Sequence, residues 1–162
     1  MAKSDKANEK TNVMRQLDQA GIAYTPRYYD ASLASGTEVA TALGQSAECV
    51  FKTLVAEANT GEHFVFVIPA PETLSLKKAA KEPGVKSIAM LPQKKLLPLT
   101  GYVHGGCSPV GMKKPFPTWI DETALLTDAF FCSAGRLGAQ IGIDPEALAG
   151  YIGAQFADLT EE

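Results

Sequence analysis

A chain of 162 residues, 46% apolar and 20% charged, has the composition of one globular domain, and folding at this length removes about 68–70% of the extended surface from water. No run approaches the roughly 18 consecutive apolar residues of a membrane span, and the polar start Met1 to Thr11 has no apolar signal stretch, so a cytoplasmic protein is expected. The net charge of −3 argues weakly against a nucleic-acid partner, but it hides a segregation: residues 77–114 carry eight lysines and one acid, net +7, and the rest of the chain is −10.

Residues 1–7 are expected to be disordered, ahead of one domain over 8–162. Val13, Leu17 and Ala20 recur at helical spacing, predicting a helix from Asn8 to Ala20 stopped by Gly21. Ile22 to Tyr29 reads as an edge strand because Pro26 lacks a ladder N–H. Thr37 can cap a short helix ending at Gly44. Val50–Glu57 and His63–Pro69 are apolar runs joined by Ala58-Asn59-Thr60-Gly61-Glu62, which predicts a hairpin at the centre of a sheet. Alternation puts Lys52 on one face with Val50, Leu54 and Ala56, and Thr53 on the other with Phe51 and Val55. An ammonium in that position either snorkels to the rim or occupies a cavity that needs its charge.

Ser75 can cap a helix to Lys81 that carries Lys77, Lys78 and Lys81 outward, Lys86 to Met90 reads as a strand, and Pro92 to Leu97 as one or two helical turns stopped by Pro98. Gly105-Gly106-Cys107-Ser108-Pro109-Val110-Gly111 has too much glycine and proline for helix or central strand. It is either a plain turn or a shaped loop whose main-chain N–H groups converge on an anion. Thr118–Asp121, Ala129–Ser133 and Gln140–Ile143 are strand-like, with a second glycine-flanked turn at 134–138. Asp144-Pro145 opens a last helix, and Gln155-Phe156-Ala157 is long enough for a brief pairing. Short strands with interspersed helices and no regular βαβ alternation predict an α+β domain with a curled, mixed, mostly antiparallel, barrel-like sheet.

The chemistry is first narrowed by what is missing. No G-x-S-x-G elbow accompanies His104-Gly105-Gly106, Gly106–Gly111 lacks the lysine and hydroxyl of a Walker loop, and Ser108 has no histidine–carboxylate pair near it in sequence. Cys49, Cys107 and Cys132 show no CxxC pair, which fits reduced thiols. With only His63 and His104 to add, no zinc spacing arises, and neither metal nor organic cofactor is expected.

Phe51-Lys52-Thr53-Leu54, Leu76-Lys77-Lys78-Ala79-Ala80, Gly101-Tyr102 leading into Gly105-Gly106-Cys107-Ser108-Pro109-Val110-Gly111, and Ser133-Ala134-Gly135-Arg136 occur in one order and spacing. In this the chain resembles the YbaK/EbsC family of aminoacyl-tRNA deacylases from its first helix to Phe156-Ala157-Asp158. The resemblance implies trans-editing of mischarged tRNA, cysteine on tRNA(Pro) above all, alongside prolyl-tRNA synthetase. It implies that Lys52 is the essential lysine and that Tyr29, Thr53, Ser108, Pro109, Gly111, Ser133 and Arg136 line the pocket; main-chain N–H groups of the loop 105–111, with Gly105 and Gly106 as the catalytic pair, are expected to hold the oxyanion. Lys77, Lys78 and Lys81 are the expected tRNA surface. The family often has an aromatic residue where this chain has Ser35, before Gly36, and an acid near Gln140. Two alternatives stay open: a deacylase for another small amino acid such as alanine, and a non-catalytic tRNA- or protein-binding module.

Overall fold

The hairpin expected at residues 50–69 is the spine of the molecule. In the computed structural model, which describes residues 9–33 and 35–162, strand β2 (Phe51–Ala58) pairs antiparallel with β3 (His63–Pro69), Lys52 opposite Ile68 and Thr53 opposite Val67. The segment expected to be disordered, residues 1–7, lies outside the described residues. Strands β4 (Ile88–Met90), β5 (Thr118–Asp121) and β8 (Gln155–Ala157) complete a five-stranded sheet ordered β4-β2-β3-β5-β8. The β3–β5 and β5–β8 ladders are parallel. A second sheet, ordered β1-β7-β6, is antiparallel and comprises β1 (Thr25–Tyr28), β6 (Phe130–Ser133) and β7 (Ala139–Ile143).

The α+β class and the antiparallel majority hold, but the barrel-like curl does not. Among the described residues the two sheets are open and meet at a single parallel bridge, Val50 to Phe131. The second edge of β2 is taken by β6 at Val50 and by β4 at Ala56–Ala58. Among the described residues no ladder runs along the intervening stretch to close a barrel.

Helix α1 (Asn12–Ala20) starts four residues later than expected, because the Thr11 side chain accepts the Met14 N–H and fixes the N-terminus there. Helix α2 (Gly36–Leu43) is capped by Ser35, not Thr37. Gly36 fits tightly, since a Cβ would lie 2.3 Å from that of Ala70. Helix α3 (Leu76–Lys81) has the expected Ser75 cap. Helix α4 (Gln93–Thr100) runs through Pro98 rather than stopping at it, and the Thr100 hydroxyl donates to Leu96 O at 2.8 Å. Helix α5 (Pro145–Ile152) begins at the proline as expected. The connection at residues 122–126 is a 3₁₀ turn.

Two cores flank the five-stranded sheet. On one face Phe51, Val55, Val65 and Val67 pack with Val13, Met14 and Leu17 of α1 and with Phe130, Cys132 and Ile141 of the second sheet. On the other, Ala56, Ala58, Phe66 and Ile68 pack with Ala79 and Ala80 of α3, Trp119 and Leu159. Cutting a fully buried side chain such as Leu17 to alanine would cost about 2–5 kcal/mol. No helix among the described residues is long and apolar enough to cross a membrane.

Candidate active site

Strand register assembles one polar row. In the smaller sheet Arg27 pairs with Gln140, and Gln140 with Ser133. Two residues beyond the Val50–Phe131 bridge, β2 and β6 present Lys52 and Ser133 on the same side. Tyr29 follows β1, its N–H donating to Gly138 O at 3.0 Å, and by alternation joins the face of Arg27. Arg27, Gln140, Ser133, Lys52 and Tyr29 therefore share the face on which Phe131 and Val50 pack against Ala40 of α2.

Lys52 is half-buried, and among the described residues its ammonium has no hydrogen-bond or ion-pair partner. Burial holds its pKa below the usual lysine value, and the Glu72 carboxylate only partly opposes this. On the same face, Ser133 and Gln140 are each 6% exposed. Ser133 Oγ accepts the Gly135 N–H at 3.1 Å, whereas Gln140 Oε1 is buried without a partner. An unsatisfied buried acceptor costs about 1–3 kcal/mol, which a visiting donor would recover.

The row ends where two glycine loops meet. Gly105 and Gly111 have φ of 86° and 74°, and Gly135 has 102°, a region that side chains other than glycine rarely adopt. At Gly106 the requirement is steric: an added Cβ would lie 3.0 Å from Leu137 N and 3.1 Å from Arg136 C and Cα, all backbone atoms. Its N–H is engaged by Val103 O at 3.0 Å, so of the two expected oxyanion donors Gly105 keeps an amide with no backbone partner among the described residues. Cys107 and Val110 plug the loop into the core of α1 and Phe51, and the Tyr102 hydroxyl donates to Val110 O. Arg136 reaches from the second loop, its guanidinium 5.8 Å from the Tyr28 ring centre and its Nη2 3.3 Å from Glu9 O.

The remaining expected positions lie elsewhere. Thr53 faces the α1 core, with Oγ1 buried and unpartnered, so it and Lys52 address opposite faces of β2. Ser108 is fully buried and its Oγ accepts the Val110 N–H at 3.2 Å. Pro109 lines a smaller hollow of about 280 Å³ with Phe116 and Tyr151. Lys77, Lys78 and Lys81 stand on α3, over the opposite end of β2. Burial pushes the thiols of Cys107 and Cys132 up to about 12, leaving both protonated and poorly nucleophilic near neutrality. Gln140 joins the site although its residue type had marked it only as a departure; the signal was a polar residue inside the otherwise apolar Ala139–Ile143. Tyr102, which braces the loop, carried no signal beyond its place ahead of the glycines.

Residues 30–151 match the model of the aminoacyl-tRNA editing domain. A protein of Enterococcus faecalis, named as a candidate Cys-tRNA(Pro)/Cys-tRNA(Cys) deacylase, EbsC, is 43% identical over 99% of this chain and 98% of its own length. Among solved structures, a candidate trans-editing enzyme for prolyl-tRNA synthetase superposes with a TM-score of 0.82 at 27% identity, covering 95% of this chain and 100% of that one. A hypothetical protein at 24% identity, with a TM-score of 0.86 over 93% of this chain and 100% of that one, shares the fold.

Proposed function

The chain belongs to the aminoacyl-tRNA editing domain family, and from that premise we propose that it deacylates mischarged tRNA in trans, with cysteine on tRNA(Pro) as its foremost substrate. The observation that carries this reading is the Lys52 amine. It is half-buried, held below its usual pKa and without a partner among the described residues, on the same sheet face as a buried acceptor of Gln140 that also lacks one. Such a site is organised for a guest that brings both negative or electron-rich oxygens and a donor. The 3′ end of an aminoacyl-tRNA brings phosphate and ribose oxygens for Lys52 and an α-ammonium for Gln140.

An aminoacyl ester is already activated, so the protein's task is orientation and stabilisation of the carbonyl oxygen rather than provision of a strong nucleophile. The buried Ser108 and the protonated Cys107 fit that division of labour. In this reading the Gly105 amide donates to the oxyanion, Lys52 anchors the ribose or phosphate, and Tyr29 and Ser133 bound the pocket. With water as nucleophile, its oxygen bonds to the carbonyl carbon, the C–O bond to the terminal ribose breaks, and a proton from the water ends on the ribose oxygen. With cysteine, the substrate's own thiol can attack its carbonyl carbon: a C–S bond forms, the same C–O bond breaks, and the thiol proton ends on the ribose oxygen. Prolyl-tRNA synthetase, which generates tRNA(Pro) charged with the wrong amino acid, is the expected working partner, in the cytoplasm. A pocket that discriminates one methylene by about 1–3 kcal/mol leaks toward alanine.

Release of labelled amino acid from Cys-tRNA(Pro), Ala-tRNA(Pro) and Pro-tRNA(Pro) tests the reading. The expected order is cysteine fastest, alanine slower and proline retained. Faster release of alanine moves the chain to a different specificity. No release from any of the three, with tRNA still bound, makes it a binding module.

A further inference from the structure

A cleft of about 610 Å³ lies beside the polar row and not on it. Its walls are the start of α1, the end of α4 and the loop at 134–136, and its lining includes Lys10, Arg15, Lys113 and Arg136 against one carboxylate, Glu9. The lining is thus net +3 in a chain of net −3. The four cations come from three separate stretches of the sequence, at 10–15, 113 and 136, which the fold brings together. Asn12 and Val13 of the first turn of α1 also open on the cleft, adding the positive end of the helix dipole. Gly111 and Gly135 keep its floor open: a Cβ at Gly111 would lie 2.9 Å from the Gln16 amide, and one at Gly135 3.1 Å from Val13.

Two of these cations, Arg15 and Lys113, are oriented by neutral oxygens. Arg15 donates to Asn12 Oδ1 at 3.0 Å and Lys113 to Pro98 O at 3.3 Å, both uncharged acceptors, while Lys10 is paired with Asp18 at 2.6 Å. The lysines of α3 contrast with this. Lys78 is bound by Asp158 at 3.0 Å and by Thr160 O at 2.7 Å, and Glu162 also raises its pKa. The acidic C-terminus is tied down there by the Leu74–Thr160 bridge and by the bond from Glu161 N–H to Thr73 O.

We infer that this cleft, and not the α3 lysines, grips the phosphodiester backbone at the single-stranded 3′ end of the tRNA; the inference rests on the reading of the chain as a tRNA deacylase. The cleft meets the polar row at the second glycine loop, where Ser133 ends the row and Ala134, Gly135 and Arg136 line the cleft. A strand held by its phosphates in the cleft delivers its terminal ribose to Lys52.

The test is binding of full-length uncharged tRNA(Pro) over a range of KCl concentrations. It compares the native chain, Arg15→Glu with Lys113→Glu, the milder Arg15→Gln with Lys113→Gln, and Lys77→Glu with Lys81→Glu. All four substituted positions are exposed, and thermal unfolding checks that each variant folds. The cleft reversal is expected to weaken binding about tenfold or more and to flatten the log–log salt dependence by about one to two, the glutamine pair about half as much in slope. The α3 reversal is expected to change affinity less than about twofold. Deacylation of Cys-tRNA(Pro) by the native chain is measured alongside. Native affinity and slope in the cleft reversal, or an equal loss in the α3 reversal, overturns the inference while native deacylation leaves the functional reading standing. A native chain that neither binds tRNA(Pro) nor deacylates it removes both.

Discussion

Two cationic regions of this molecule carry comparable positive charge and differ in what the fold places against it. On α3 the lysines are contiguous in sequence, yet the acidic C-terminus folds back on them and Asp158 and Thr160 O occupy Lys78. In the cleft the cations are scattered through the sequence, yet Arg15 and Lys113 meet only neutral oxygens and keep their net charge. Lys52 extends the second pattern, a cation with no ion-pair partner among the described residues, on the sheet face of Ser133 and Gln140. The lesson is that surface potential follows tertiary contacts rather than local runs of one residue type.

The comparison can be broken most strongly at the junction of the two glycine loops. Gly106→Ala, whose Cβ would meet Leu137 and Arg136 backbone at 3.0–3.1 Å, must separate the loop carrying the Gly105 amide from the loop carrying Arg136. Turnover is expected to fall about tenfold or more, since sub-ångström misplacement of reacting groups is costly; single-turnover release from Cys-tRNA(Pro) measures it. Tyr102→Phe is gentler. It removes the hydroxyl bond to Val110 O, which should cost about 1 kcal/mol of stability in urea unfolding and leave tRNA affinity unchanged. Neutralising the tail by Asp158→Asn with Glu161→Gln and Glu162→Gln sharpens the comparison from the other side. The α3 lysines then become a competing phosphate surface, so tRNA affinity should rise by about two- to threefold with no gain in turnover.

The smallest effect is one of sign. Because burial lowers the Lys52 pKa in the folded chain, the unfolded chain binds more protons at pH values between the folded and unfolded pKa, and stability rises with pH there. Below the folded value the whole penalty is present; above the unfolded value it is gone. Lys52→Met should therefore melt at a higher temperature than the native chain at pH 7, with the gap narrowing as pH rises toward 10. A lower melting temperature at pH 7 would mean that Lys52 supports the fold rather than the site.

The hairpin was legible because alternation and the Asn-Thr-Gly turn agree, and Lys52 was conspicuous because it broke the alternation. Helix starts were less so: Thr11 and Ser35 are ordinary capping residues, and only the hydrogen bonds to Met14 and Glu38 N–H select them over neighbours. The barrel failed as an expectation because closure depends on how many residues β2 and β6 share, and a single bridge at Val50 leaves no local trace. Opposite placement of Lys52 and Thr53 followed from period-two alternation, although the family resemblance assigns both to one pocket. The cleft was illegible, since residues 10, 15, 113 and 136 are joined only by the packing of α1 and α4 around the glycine loops.

The most direct measurement of the central claim, that an unpaired cation on the polar row serves an already activated ester, compares native chain and Lys52→Ala. Single-turnover release from Cys-tRNA(Pro) and affinity for uncharged tRNA(Pro) would be followed side by side. The account predicts release slowed about a hundredfold or more, with affinity within about twofold because the cleft still holds the strand. Release at the native rate would contradict it.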